Sequence, residues 1–129
     1  MALTYNPLKA PDPKRWLAMD EAIRLKMVVS YHRKKRFDLP NERIHAAIHV
    51  VVENQVAMRD ELPVAAKLER LMNEGLDRHD AIHAIGSVLA GRMWEVSQSD
   101  AEPQLDPNVS YFDELAELTA QGWIEEYSE

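Results

Sequence analysis

His45 and His49 stand four residues apart, and so do His79 and His83. On a helix, residues at i and i+4 are neighbours at about 5–6 Å, close enough for two imidazoles to chelate one cation. Glu53 continues the first series at i+8, on the same side of the helix. In the second series Gly86 and Ala90 follow at i+7 and i+11, small residues that let another helix approach. Two H-x-x-x-H helices facing each other would supply four imidazoles and one carboxylate. Nitrogen-rich sites suit zinc, iron, nickel or copper rather than magnesium or calcium. The expected site is therefore a transition-metal centre, zinc first and iron second, held by His45, His49, His79, His83 and Glu53. Glu53 is either a ligand or the group that orients one. His32 and Glu21 are further candidate ligands, and Gln55 or Asp80 could hold a ring N–H or a bound water.

The bland alternative is a network of structural histidines with Glu53 and Gln55, satisfying one another inside the protein. Two other motifs come close to known chemistry and miss. His79-Asp80-Ala81-Ile82-His83 is one methylene short of the H-E-x-x-H zinc-protease motif. Asp80 falls at the third position of a helix, where a carboxylate simply favours the first turn. The His-Asp doublet also begins a phosphohydrolase-like pattern, but no convincing later Asp completes it. There is no dinucleotide or phosphate-binding glycine loop, no serine elbow and no cysteine nucleophile.

The elements that must position these residues follow from periodicity. Asp12 caps a helix opened by Pro13, with Trp16, Ile23, Met27 and Tyr31 at helical spacing up to the basic run Arg33–Arg36. Leu39-Pro40-Asn41 breaks the chain, and Asn41 is the expected cap of a second helix to about Met58. Its apolar face would comprise Ile44, Ile48, Val51, Val52, Gln55 and Val56. A third helix presents Val64, Leu68, Leu71 and Met72 and stops at Gly75. Asp77 caps a fourth, with Ile82, Ile85, Leu89, Met93 and Val96 inward. After a linker from Asp100 to Asn108, Ser110 opens a short fifth helix from Tyr111 to Thr119, ended by Gly122 and followed by a fraying tail. The fold class is all-α, a small bundle of about five helices in one domain. Residues 1–12 form an irregular arm, 13–97 the histidine-bearing core, and 98–129 the linker and C-terminal helix.

Composition bounds the setting. The chain has 129 residues, 46% of them hydrophobic and 29% charged, as expected of an ordinary globular domain. The absence of cysteine rules out disulfides and thiolate ligands and fits the reducing cytoplasm. A net charge of −7 argues against nucleic acid as a partner. No apolar run is long enough for a membrane span, and the N-terminus has no secretory h-region. The basic run reads as a solvated helix end.

The strings WLAMDEAIRLKMVVSYH, LPNERIHAAIHVVVENQVA and LERLMNEGLDRHDAIHAIGSVL make the chain resemble an uncharacterised bacterial domain-of-unknown-function family over about residues 16–96. That family carries no established activity, so the resemblance implies a small helical bacterial protein and no mechanism. By their place in these strings, His32, His45, His49, Glu53, Gln55, Arg78, His79 and His83 stand out. Three functions remain open: a metal-binding protein, a non-catalytic helical adaptor with structural histidines, and a small metal-dependent hydrolase or redox enzyme. A homodimer is compatible with each.

Overall fold

The computed structural model describes residues 5–34, 42–98 and 107–127. Among these the regular structure is helical, with no strand. The helices are α1 (Pro13–Ala18), α2 (Glu21–Lys34), α3 (Glu42–Ala57), α4 (Val64–Asn73), α5 (Arg78–Gln98), α6 (Pro107–Glu117) and α7 (Ala120–Tyr127). A single 3₁₀ turn, Arg59–Glu61, links α3 to α4. α3 is the central element and packs against α1, α2, α4 and α5.

The first expected helix is two. Asp12 does cap α1, accepting from the Arg15 N–H at 3.1 Å. The chain then turns extended at Met19, and Asp20 starts α2 by accepting from Ala22 N–H at 2.8 Å. A competing cap inside an apolar pattern ends one helix and begins the next, which the period alone does not reveal. Gly75 behaves as expected. Its φ of 115° lies where only glycine is unstrained. Gly75 N–H reaches Met72 O and Leu76 N–H reaches Leu71 O, the pattern of a Schellman motif. Asp77 caps α5 by accepting from Asp80 N–H at 2.8 Å.

The C-terminal region departs further from expectation. α6 opens at Pro107, so Ser110 lies inside the helix rather than capping it. Gly122 does not end a helix but sits within α7, whose first turn is capped by Thr119 Oγ1 accepting from Gly122 N–H. The basic run's side chains, the Asn41 cap, the Val96 side chain and the linker at 99–106 lie outside the described residues.

Two cores result. The larger joins Val52 and Val56 of α3 to Val64, Leu68 and Leu71 of α4, Ile82 and Ile85 of α5, and Tyr111 and Leu115 of α6. The smaller joins Tyr5, Trp16, Val28, Ala46 and Val50. α3 therefore buries residues on two sides. Ile44 is 57% exposed, Val50 is buried, and the apolar stripe read from periodicity is rotated accordingly. Met72 and Met93, both expected inward, are exposed. No helix among the described residues is long and apolar enough to cross a membrane.

Candidate metal centre

α3 and α5 lie side by side at Gly86. A Cβ built there would stand 3.0 Å from Ile48 Cγ2, so the missing side chain is what lets the two helices approach this closely. The two histidine stripes then face each other. His49 and His83 have ring centroids 4.9 Å apart, as do His45 and His83. α2 closes the third side and brings His32 among them, its ring 4.7 Å from His45 and 4.8 Å from His49.

His32, His45, His49 and His83 each present one ring nitrogen such that all four nitrogens lie within 4.8 Å of one another. His79 borders this group, 4.3 Å from His83 and 5.4 Å from His49 by ring centroids. Zinc–imidazole bonds are about 2.0–2.1 Å, so opposed ligands on one ion stand about 4.2 Å apart and tetrahedral ones about 3.4 Å. Small ring rotations would close the set on one cation.

The proton positions follow from the partners. His32 Nδ1 is 2.9 Å from Val28 O, which can only accept, so Nδ1 carries the hydrogen and Nε2 is the ring nitrogen left for the cluster side. His49 Nδ1 is 3.1 Å from Tyr5 Oη. The single Tyr5 hydroxyl proton goes to Glu53 Oε2 at 2.6 Å. Tyr5 Oη must therefore accept from His49 Nδ1–H, and the His49 Nε2 lone pair is left for the cluster. The Nε2 atoms of His45, His49 and His83 are buried with no hydrogen-bond partner. Buried ring nitrogens without a partner cost about 1–3 kcal/mol each, and a metal ion would relieve them together.

Burial first, then the charge of the neighbouring rings, lowers His45 and His83 to about 4. His79 is lowered to about 4 by burial and His32, against an opposing pull from Asp77. Burial and four histidine neighbours hold His49 far below its ordinary value. His45, His49, His79 and His83 are thus neutral at pH 7, the form that binds metal.

Glu53 is not part of the donor set. It is fully buried, and Arg78 clamps it through Nη2 to Oε1 at 2.7 Å and Nη1 to Oε2 at 2.8 Å. It stands behind His49, joined to His49 Nδ1 through the Tyr5 hydroxyl. Arg78 Nη1 also donates to Pro7 O at 2.9 Å. Burial, then the Glu53 charge, keeps the Tyr5 phenol well above its usual value and so protonated. Gln55 points elsewhere, accepting from Tyr111 Oη at 2.8 Å. Glu21 and Asp80 are exposed. The zinc-protease analogy therefore lacks its acid, because Asp80 does not face the imidazoles.

Spacing found four of the five clustered histidines and placed His32 only as an extra. His32 has no i+4 partner on its own helix to mark it. Tyr5 carried no signal, since nothing in an irregular arm connects residue 5 with residues 49 and 53.

The DUF1841 family, a domain of unknown function, matches residues 28–116. The chain belongs to this family. The match starts later than the resembling strings and runs further toward the C-terminus, into the last turn of α6. It contains all five histidines, Glu53 and Arg78, while Tyr5 and Pro7 precede it. No curated protein and no solved structure matches the chain.

Proposed function

We propose that this protein binds one first-row transition-metal ion, zinc first and iron second, through His32, His45, His49 and His83. The observation that carries this reading is the convergence of four ring nitrogens within 4.8 Å, three of the imidazoles having a buried Nε2 that no hydrogen bond satisfies. A structural histidine network would pair those atoms with donors. His79 is a fifth imidazole beside the four. Glu53 acts through Tyr5 on the orientation of His49, the second of the two roles expected for it. An all-imidazole set suits zinc and iron and disfavours the hard cations magnesium and calcium.

The test is metal analysis of tag-free protein after zinc supplementation, with a melting curve at pH 7.5. About one equivalent per chain is expected. A ligand present at a thousand times its Kd adds about 4 kcal/mol, so chelator should lower the melting temperature by several degrees. The His45→Ala/His83→Ala double variant should lose both the metal and the chelator response. Less than about a tenth of an equivalent, with a curve that chelator leaves unchanged, overturns the reading and returns the protein to the adaptor class.

A further inference from the structure

Residues 5–12, ahead of α1, have no regular secondary structure, yet Tyr5 and Pro7 are buried at the back of the histidine cluster. Tyr5 is 5% exposed, with its ring edge-on to His49 at 6.0 Å and to Tyr31 at 6.0 Å. Its hydroxyl stands 3.1 Å from His49 Nδ1 and donates to Glu53 Oε2. Two residues on, Pro7 O accepts from Arg78. The Arg78–Glu53 pair thus ties down both ends of a three-residue segment, while Leu8 and Lys9 beyond it are exposed.

We infer that residues 5–9 are a strap whose docking and metal occupancy stabilise one another, with Tyr5 as the positioning residue that couples them. The inference rests on the metal reading above. Its physical basis is the hydrogen bond behind His49. A cation on Nε2 withdraws electron density from the ring and makes Nδ1–H a stronger donor. The acceptor of that hydrogen is Tyr5 Oη, so metal tightens the strap. By linkage the docked strap must tighten the metal equally, because it holds His49 in the tautomer and orientation that present Nε2. Glu53 and Arg78 serve the same end by fixing the Tyr5 hydroxyl, which leaves its oxygen lone pair directed at His49.

The test compares amide hydrogen exchange in residues 5–10 of the full chain with and without saturating zinc. In the wild type, zinc should slow exchange there by about tenfold or more. Tyr5→Phe keeps the ring but has no acceptor. It should bind zinc about tenfold more weakly, and saturating zinc should leave its arm exchange nearly unchanged. The cobalt(II) form adds a readout that simple loss of packing does not move. Tyr5→Phe should shift the visible ligand-field bands, because His49 is no longer held. Trp16→Phe, which weakens the same small core without touching the hydrogen bond, should leave them in place. Zinc binding by the wild type with no change in arm exchange overturns the strap and leaves the metal site standing. Equal zinc protection in Tyr5→Phe, or an unshifted cobalt spectrum, overturns Tyr5 as the coupling residue and the inference with it. Failure of the wild type to bind zinc or cobalt overturns the metal reading itself.

Discussion

α3 and α5 each face two different interiors. On one side Val52, Val56, Ile82 and Ile85 join the large apolar core, beside which the buried Lys67 donates to the carbonyls of Ala116 and Leu118 at 3.3 and 2.9 Å. On the other side the same two helices carry His45, His49, His79 and His83 toward α2 and the arm. The apolar side is complete as it stands. The histidine side contains an ion pair that is fully satisfied, Arg78–Glu53, and beside it buried ring nitrogens of His45, His49 and His83 that are not. The contrast teaches that burial alone does not account for the histidines. A region built only for stability would have either apolar groups or closed hydrogen bonds there.

The largest effect should come from breaking the closed ion pair. Glu53→Gln leaves the Arg78 guanidinium, 4% exposed, without its counter-charge. Removing one partner of a buried pair costs about 3–5 kcal/mol, so denaturant titration should show a loss of that order with or without metal. The apolar side gives the matching control. Leu71 is fully buried, and Leu71→Ala should cost about 2–5 kcal/mol while metal content per folded chain stays at the wild-type value. If Leu71→Ala abolished metal binding in folded protein, the two interiors would not be separable.

An acid titration of metal-free protein sharpens the comparison at smaller amplitude. His45, His79 and His83 sit at about 4 in the fold against about 6.5 unfolded. The unfolded chain therefore binds more protons between these values, and stability must fall as pH drops from about 6.5 to about 4. Solvent screening of these half-buried rings reduces the amplitude. His45→Ala/His83→Ala should flatten that slope, as read from denaturation midpoints at pH 7.5, 6 and 5. A slope unchanged by the double variant would place the acid sensitivity elsewhere. The smallest effect on stability is expected at Gly86. Alanine gains about 1 kcal/mol of helix propensity but meets Ile48 Cγ2 at 3.0 Å, so the net change should stay within about 1 kcal/mol. Metal affinity, measured by chelator competition, should nonetheless fall, because α3 and α5 must part slightly and carry His49 away from His83.

The sequence by itself determined the bodies of α3, α4 and α5 and several helix ends, while it merged α1 with α2 and did not mark α7. Asp12, Gly75 and Asp77 do at their positions what local chemistry demands, since a cap or a positive φ depends only on residues within one turn. It also determined which histidines share a face, because i, i+4 spacing is a property of the helix itself. The tertiary structure decided what the spacing could not. It exposed Ile44, because α3 is wrapped on two sides and its outward edge depends on where α2 and α5 dock. It drew His32 into the donor set from a different helix, and moved Glu53 out of it by giving both carboxylate oxygens to Arg78 and Tyr5. The Glu53 outcome turns on partners 25 and 48 positions away in the chain, and no local period records which distant partner will reach a buried charge first.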